Sequence, residues 1–261
     1  MRLSATYNFF AGGELPVRSV EIIRPNVDHV SIVTQQISNL GNAQSPRSTD
    51  AVAELLRRGL VDDVEFFTPD RSRSAGENEF AKRARGLALA RRAGCTHFLF
   101  VDADEFYDPD AFAAATSAID RHGWETTSVE VMNYYGRPTW RVRDPFEFVP
   151  FICRTSSTPV FLGSFPQQVD PTRTVTWSGS THHAFPATEI VMHHMTGVRL
   201  DLEEKLANSS LNDDPEQIAA SRGRYERIHD LGPGRFVLPD GAVVDIVEVD
   251  DVFGLGPVFV D

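Results

Sequence analysis

The sequence has 261 residues, 41% hydrophobic and 10% aromatic, which supplies one sizeable core and a length that a single α/β domain fills. Thirty-seven acidic against twenty-five basic residues give a formal net charge of −12, which disfavours functions that rest on attraction to nucleic-acid phosphates or anionic lipid. Two cysteines, Cys95 and Cys153, are too few for a disulfide framework, and no apolar run approaches the ~18 residues of a membrane span, so a cytoplasmic setting is expected.

Short strand-like runs alternate with helical patterns through the first half, the signature of a largely parallel sheet with helices packed on it. Leu3 to Phe10 reads as a strand and turns at Ala11-Gly12-Gly13, after which Pro16 opens a helix that stops at Pro25. Val27 to Val33 is the next strand. Ser38 to Arg47 reads as a polar loop, and Asp50 as the cap of a helix that ends at Gly59. Val64 to Phe67 is a short strand, and Asn78 is expected to cap a helix that ends at Gly94.

Thr96 to Val101 is an apolar run without alternation, as expected of a central strand covered on both faces, and it stops at Asp102-Ala103-Asp104-Glu105. Asp110 to His122 reads as a helix. From Ser128 onward the strands are more widely spaced and richer in Pro, Trp and Phe. The second half with its C-terminal element (126–261) is therefore expected to be the acceptor-shaping part of the same domain as the first half (1–125). Pro239-Asp240-Gly241 carries a hairpin signal, and Phe253 to Val260 an apolar tail.

The chemistry concentrates at the end of the central strand. An acidic turn is the plain reading of a lone Asp-x-Asp, but a hydrophobic strand that ends in charges beside a core needs a reason for them. The carboxyl edge of an open α/β sheet is where ligands bind, and two carboxylates at i and i+2 can turn toward one hard cation such as Mg²⁺ or Mn²⁺. Histidines cluster late, at His182, His183, His193 and His194. A strand period puts Ile190, Met192 and His194 on one face and Val191 with His193 on the other. The helix after Asn78 carries Lys82 and Arg83 near the same sheet edge, suited to a phosphate, whereas Arg91 and Arg92 read as surface.

These pieces, in their order, resemble glycosyltransferase family 2 and its bacterial and phage relatives with the GT-A fold. The resemblance is carried by Tyr7-Asn8-Phe9-Phe10 with Gly13-Glu14, Asp28 through Asn42, Asn78-Glu79 with Lys82-Arg83, and Gly94 through Tyr107. His194 with Val198-Arg199, Asp201 and Lys205 completes it. It implies a Rossmann-like, mostly parallel sheet flanked by helices in one domain. It also implies transfer of a sugar from a nucleoside-diphosphate donor, UDP-sugars first, to an acceptor such as a glycan, a protein or another hydroxyl.

By that resemblance Asp102, Asp104 and His194 hold Mn²⁺ or Mg²⁺, while Asn8, Gln35, Asn39, Asn78, Lys82 and Arg83 join Asp102 in the nucleotide-sugar pocket. The doublet His193-His194 leaves the ligand's register open by one. Asp104 and Glu105, with Glu147 and Asp144 in the second half, are the candidate catalytic acids. His182, His183, Trp140 and Trp177 are candidates for an acceptor wall. A sugar-nucleotide nucleotidyltransferase would want a better Gly-rich loop than Ala11-Gly12-Gly13. A non-catalytic carbohydrate-binding or interaction module would depend on neither metal nor nucleotide.

Overall fold

The structure, a computed structural model, describes all residues except 146, 164, 167–168, 177–180, 210–214, 239–240, 242 and 260–261. Four parallel strands form its first half: β1 (Leu3–Asn8), β2 (His29–Thr34), β3 (Asp63–Phe66) and β4 (His97–Asp102). They lie in the order β3-β2-β1-β4, so the chain steps outward from β1 twice and then returns to its other side. That reversal makes a switch point between β1 and β4, where an open α/β sheet leaves a crevice beyond its carboxyl ends. Asn8 and Asp102, the last residues of the two strands, are register partners there.

Alternation along these strands decides which side chains meet which helices. Leu3, Ala5 and Tyr7, with Leu99 and Val101, pack in the main core with α1 (Pro16–Ile23), α2 (Pro46–Arg57) and α4 (Pro109–His122). The intervening Ser4, Thr6 and Asn8, with Phe98, Phe100 and Asp102, fall on the opposite face. There α3 (Ala75–Arg92) lies over the sheet, and Leu87 and Ala90 cover Phe98 and Phe100. The approach is close: a Cβ on Gly86 would stand 1.9 Å from Thr6 Cγ2. Asp102 is thereby delivered to the face of the sheet that α3 covers.

Helix starts differ from the sequence expectation where a stronger cap wins. α2 begins at Pro46 with Ser45 accepting from Ser48 N, upstream of Asp50. α3 begins at Ala75, where Ser74 and Glu77 form a capping box. Asn78 instead pins the preceding loop, its Oδ1 accepting from Asp70 N and its Nδ2 donating to Asp70 O.

Beyond β4 the sheet turns antiparallel. β8 (Glu147–Arg154) pairs with β4 and with β6 (Thr126–Tyr135). β7 (Trp140–Val142), β12 (Val243–Glu248) and β11 (Gly234–Val237) extend it. Pro150 sits in β8 beyond the reach of β4, where its missing N–H leaves no ladder bond unmade on that side. On its other edge β6 pairs first with β9 (His182–Phe185) and then with β10 (Val191–Gly197), and both pairings are parallel. The second half therefore continues the same sheet. The hairpin expected at 239–241 falls largely outside the described residues, as does Val260. Among the described residues no helix is long and apolar enough to cross a membrane.

Candidate active site

After Asp102 the chain makes a turn and enters β5 (Glu105–Phe106), which runs antiparallel to β10 with Glu105 opposite His194 and Phe106 opposite His193. Met195 N donates to Asp104 O at 2.7 Å, so backbone bonds clamp the acidic turn to the strand of the late histidines. The strand period then separates the doublet. His194 faces the crevice, with Nε2 3.3 Å from Asp104 Oδ2, whereas His193 is turned away against Tyr134 and Phe253. Burial pushes the half-buried His193 imidazole down to about 4, so it is neutral near pH 7.

The crevice is a cavity of about 250 Å³ lined by Asn8, Phe10, Gln35, Asn39, Glu79, Lys82, Asp102, Asp104, His194, Arg199 and Lys205, among others. Seven of these side chains match the site read from the sequence. Two walls of opposite character face each other. On the strand-end wall Asn8 Oδ1, Gln35 Oε1 and Asp102 Oδ1 are buried acceptors without a hydrogen-bond partner among the described residues. Unsatisfied buried acceptors cost about 1–3 kcal/mol each, so this wall calls for a ligand that brings donors or a cation. On the other wall Arg199 and Lys205, from the segment after β10 and from α5 (Leu202–Ala207), both reach Asp104 Oδ2.

The two aspartates are held ionised by different partners. Burial opposes the charge of Asp102, but Arg173 and then Arg83 beside it bring its carboxyl down to about 2. Burial likewise opposes Asp104, and Arg199, His194 and Lys205 overcome it and hold the group well below the usual range. Glu105 goes the other way: it is 1% exposed, and burial raises its carboxyl despite the Arg173 guanidinium bound to it.

Several expectations are corrected by these positions. Glu105 is sealed between Arg173 and the Asp102 amide, out of reach of an acceptor hydroxyl. Glu147, exposed at the start of β8, lines no cavity at the crevice, and neither does the exposed Asp144. Arg83 is buried behind Asp102, where it also binds Glu79 and Thr172, so it positions the carboxylate and does not line the phosphate wall. Asn78 is a loop pin. His182 bonds Thr126 and His183 stacks on Trp124 at the far edge of the sheet, while Trp140 packs in a second core. Trp177 lies outside the described residues.

Arg173, Asp170 and Asn133 are the parts of the site that the sequence reading did not name, and Glu79, Arg199 and Lys205 entered it only as pieces of the resemblance, without a role. Arg173 arrives from a short 3-10 turn, Pro171–Arg173, capped by Asp170, 71 residues beyond Asp102. No local pattern announces such a partner. Glu79 was legible, because its spacing of four from Arg83 on α3 is that of a helical ion pair.

The donor set can be weighed for a divalent cation. Among the described residues no three His, Cys, Asp or Glu side chains converge as a cage. A hard cation that travels with a diphosphate needs only one or two protein carboxylates, however, and Asp102 Oδ1 is an unpartnered buried carboxylate oxygen on the cavity. His194 Nδ1 is paired with Asn133 Oδ1, which turns Nε2 toward Asp104 in the way that a second partner orients a metal-ligating imidazole. These residues fit a cation shared with a bound diphosphate.

Lys82 provides a measurable signature. It is 3% exposed, donates to Phe9 O at 2.6 Å, and is pushed down to about 7 by burial, against the pull of Glu79 and Asp102 and with the repulsion of Arg83. An unfolded lysine keeps its proton up to its ordinary 10.5, so the unfolded chain binds more protons between the two values. In that window the contribution of Lys82 makes the fold more stable as pH rises. A diphosphate, if brought into this crevice, would restore the charged form. Titration of UDP at pH 8 in buffers of different ionisation enthalpy is expected to show uptake of about one proton, absent in Lys82→Met. Equal uptake by both proteins would remove Lys82 from the phosphate site.

No protein-family model and no curated protein matches the sequence. Among solved structures the chain is similar to Staphylococcus aureus TarS residues 1–349 in complex with UDP, at 14% identity and a TM-score of 0.38. It is also similar to the same protein with UDP-GlcNAc, at 15% and 0.39. The overlaps cover 52% of this chain and 37% and 36% of those chains. A third likeness, to mannose-1-phosphate geranyltransferase from Thermus thermophilus, has 16% identity, a TM-score of 0.31, and covers 57% of this chain and 50% of that one. The chain thus spans about a third of the TarS fragment, and likenesses of this degree decide nothing about the chemistry, which rests on the side chains described above.

Proposed function

We propose that this chain is a glycosyltransferase of the GT-A type that binds a nucleoside-diphosphate sugar in the crevice between β1 and β4 and passes the sugar to the hydroxyl of an acceptor. The observation that carries the reading is the pairing of an acceptor-rich wall (Asn8, Gln35, Asp102), with Lys82 set beside it, and a cationic wall (Arg199, Lys205) at the switch point of the sheet. A base N–H and ribose hydroxyls are the donors that the first wall lacks. A diphosphate is the anion that suits the second.

UDP-sugars are the first donors to test, since uracil carries an N–H that the strand-end acceptors could take. Asp102 and Asp104, with His194, would hold Mn²⁺ or Mg²⁺ together with the diphosphate, and the cation would supply charge neutralisation of the leaving group. This chain's own residues do the rest. Arg83 and Arg173 keep Asp102 ionised, Arg199 and Lys205 orient Asp104 and face the phosphates, and Asn133 fixes the His194 ring. A sugar-nucleotide nucleotidyltransferase would use the same crevice. The short Gly12-Gly13 turn, with the Arg199 guanidinium 3.4 Å from where a Gly12 Cβ would stand, disfavours it by leaving little room for a phosphate-wrapping loop.

A thermal-shift screen of UDP, GDP, dTDP and CMP with Mn²⁺ tests the reading. One nucleotide should raise the transition, because a ligand at a hundred times its dissociation constant stabilises the fold by ~2.7 kcal/mol. No shift with any of them would reject it.

A further inference from the structure

A second cavity, of about 490 Å³, opens on the far side of Arg199, between Gly197 and α6 (Pro215–Leu231). Arg199 lines both cavities and so forms part of the wall between them. A chain of polar contacts crosses the same wall. Lys205 Nζ, 3.4 Å from Asp104 Oδ2, donates to Thr196 Oγ1 at 2.9 Å, and Thr196 Oγ1 meets the Tyr225 hydroxyl at 3.2 Å. The aromatic platform of the second cavity is thus tied to the acidic pair of the first through two side chains.

The platform depends on a glycine. A Cβ on Gly197 would lie 2.8 Å from Tyr135 Cδ1 and 2.9 Å from Tyr225 Cε1, so only glycine lets the two tyrosine rings, 5.7 Å apart, close over β10. Tyr225 and Phe259 line the cavity together with the polar side chains of Glu226, His229, Asp230 and Arg137. An aromatic face flanked by carboxylates suits the C–H face and the hydroxyls of a sugar ring. An anion is not suited: two carboxylates oppose two guanidinium groups, and that of Arg199 is already bound to Asp104.

We infer that this second cavity is the acceptor subsite and that it takes a neutral saccharide, seated on Tyr225 next to the donor crevice. The inference rests on the glycosyltransferase reading for its name, but the binding it asserts can be measured without a donor.

The test is saturation-transfer NMR on the full chain with maltose, cellobiose, lactose and chitobiose, and with sialyllactose as the anionic control. At least one neutral disaccharide should bind. Its affinity should fall about tenfold or more in Tyr225→Ala and hold within about twofold in Tyr225→Phe. A circular-dichroism melt of Tyr225→Ala checks that the variant is folded; Glu226→Ala, on the exposed side of α6, gives a second reading and should weaken binding without unfolding. Binding of none of the neutral sugars, binding of sialyllactose alone, or binding indifferent to both Tyr225→Ala and Glu226→Ala would overturn the proposal. Sugar binding that depends on Tyr225 in a protein that ignores every nucleotide would leave the subsite standing and remove the transferase reading instead.

Discussion

Asp104→Asn is expected to lower the release of UDP from a UDP-sugar by about a hundredfold or more while leaving metal-free UDP binding unchanged or tighter. The split follows from where the carboxylate sits. Its Oδ2 faces Arg199, Lys205 and His194 on the cationic wall, so its charge both anchors those groups and repels a diphosphate brought beside them. Asparagine keeps the shape, removes the repulsion, and removes the oxygen that a shared cation would need. Breaking a buried ion-pair cluster at one member costs ~3 kcal/mol, so the melting temperature should fall as well, and saturating UDP should restore part of it. Equal loss of turnover and of metal-free UDP binding would show that Asp104 acts only by holding the wall together.

Arg173→Ala should be the most destabilising single change in the site. Arg173 is 4% exposed and bridges Asp102, Glu105 and Asp170, so its removal takes the guanidinium from the buried Glu105 and leaves Asp102 with Arg83 alone. Loss of one partner from such a network costs about 3–5 kcal/mol. The pH dependence should change with it. In the intact protein the Asp102 carboxyl, held at about 2 against an ordinary 3.8, contributes stability that is present above 3.8 and is lost as pH falls through about 2. Without Arg173 that carboxyl rises, and acid unfolding should begin at a higher pH. Denaturant melts between pH 3 and pH 7 check this: parallel curves for the two proteins would mean that Arg83 alone sets the charge of Asp102.

The parallel half of the sheet was legible because each strand is a short apolar run bounded by turn residues, and β4 ends in acids where a core strand should not. The separation of His193 from His194 was legible for the same reason, since a two-residue period admits one of them to the crevice. The caps at Ser45 and Ser74 were also written locally, as Ser-Pro and as Ser-x-x-Glu, and they outrank Asp50 and Asn78 because they satisfy the first helical amides.

What was not legible came from long loops. Arg173 reaches Asp102 across 71 residues, and its arrival turns Glu105 from a candidate base into a sealed structural carboxylate. Glu147 looked suitable only because it precedes a strand of the second half. Because that strand runs antiparallel to β4, with Leu99 opposite Ile152, Glu147 starts toward the carboxyl edge of the sheet, but its side chain is exposed there and does not line the crevice.

The most direct measurement is an anomalous difference map from a crystal of the protein grown with UDP and Mn²⁺. The account expects a manganese peak bonded to a carboxylate of Asp102 or Asp104 and to the diphosphate, with the nucleoside against Asn8 and Gln35. A diphosphate bound elsewhere, or one seated in the crevice on Lys82, Arg199 and Lys205 with no manganese at the aspartates, would contradict it.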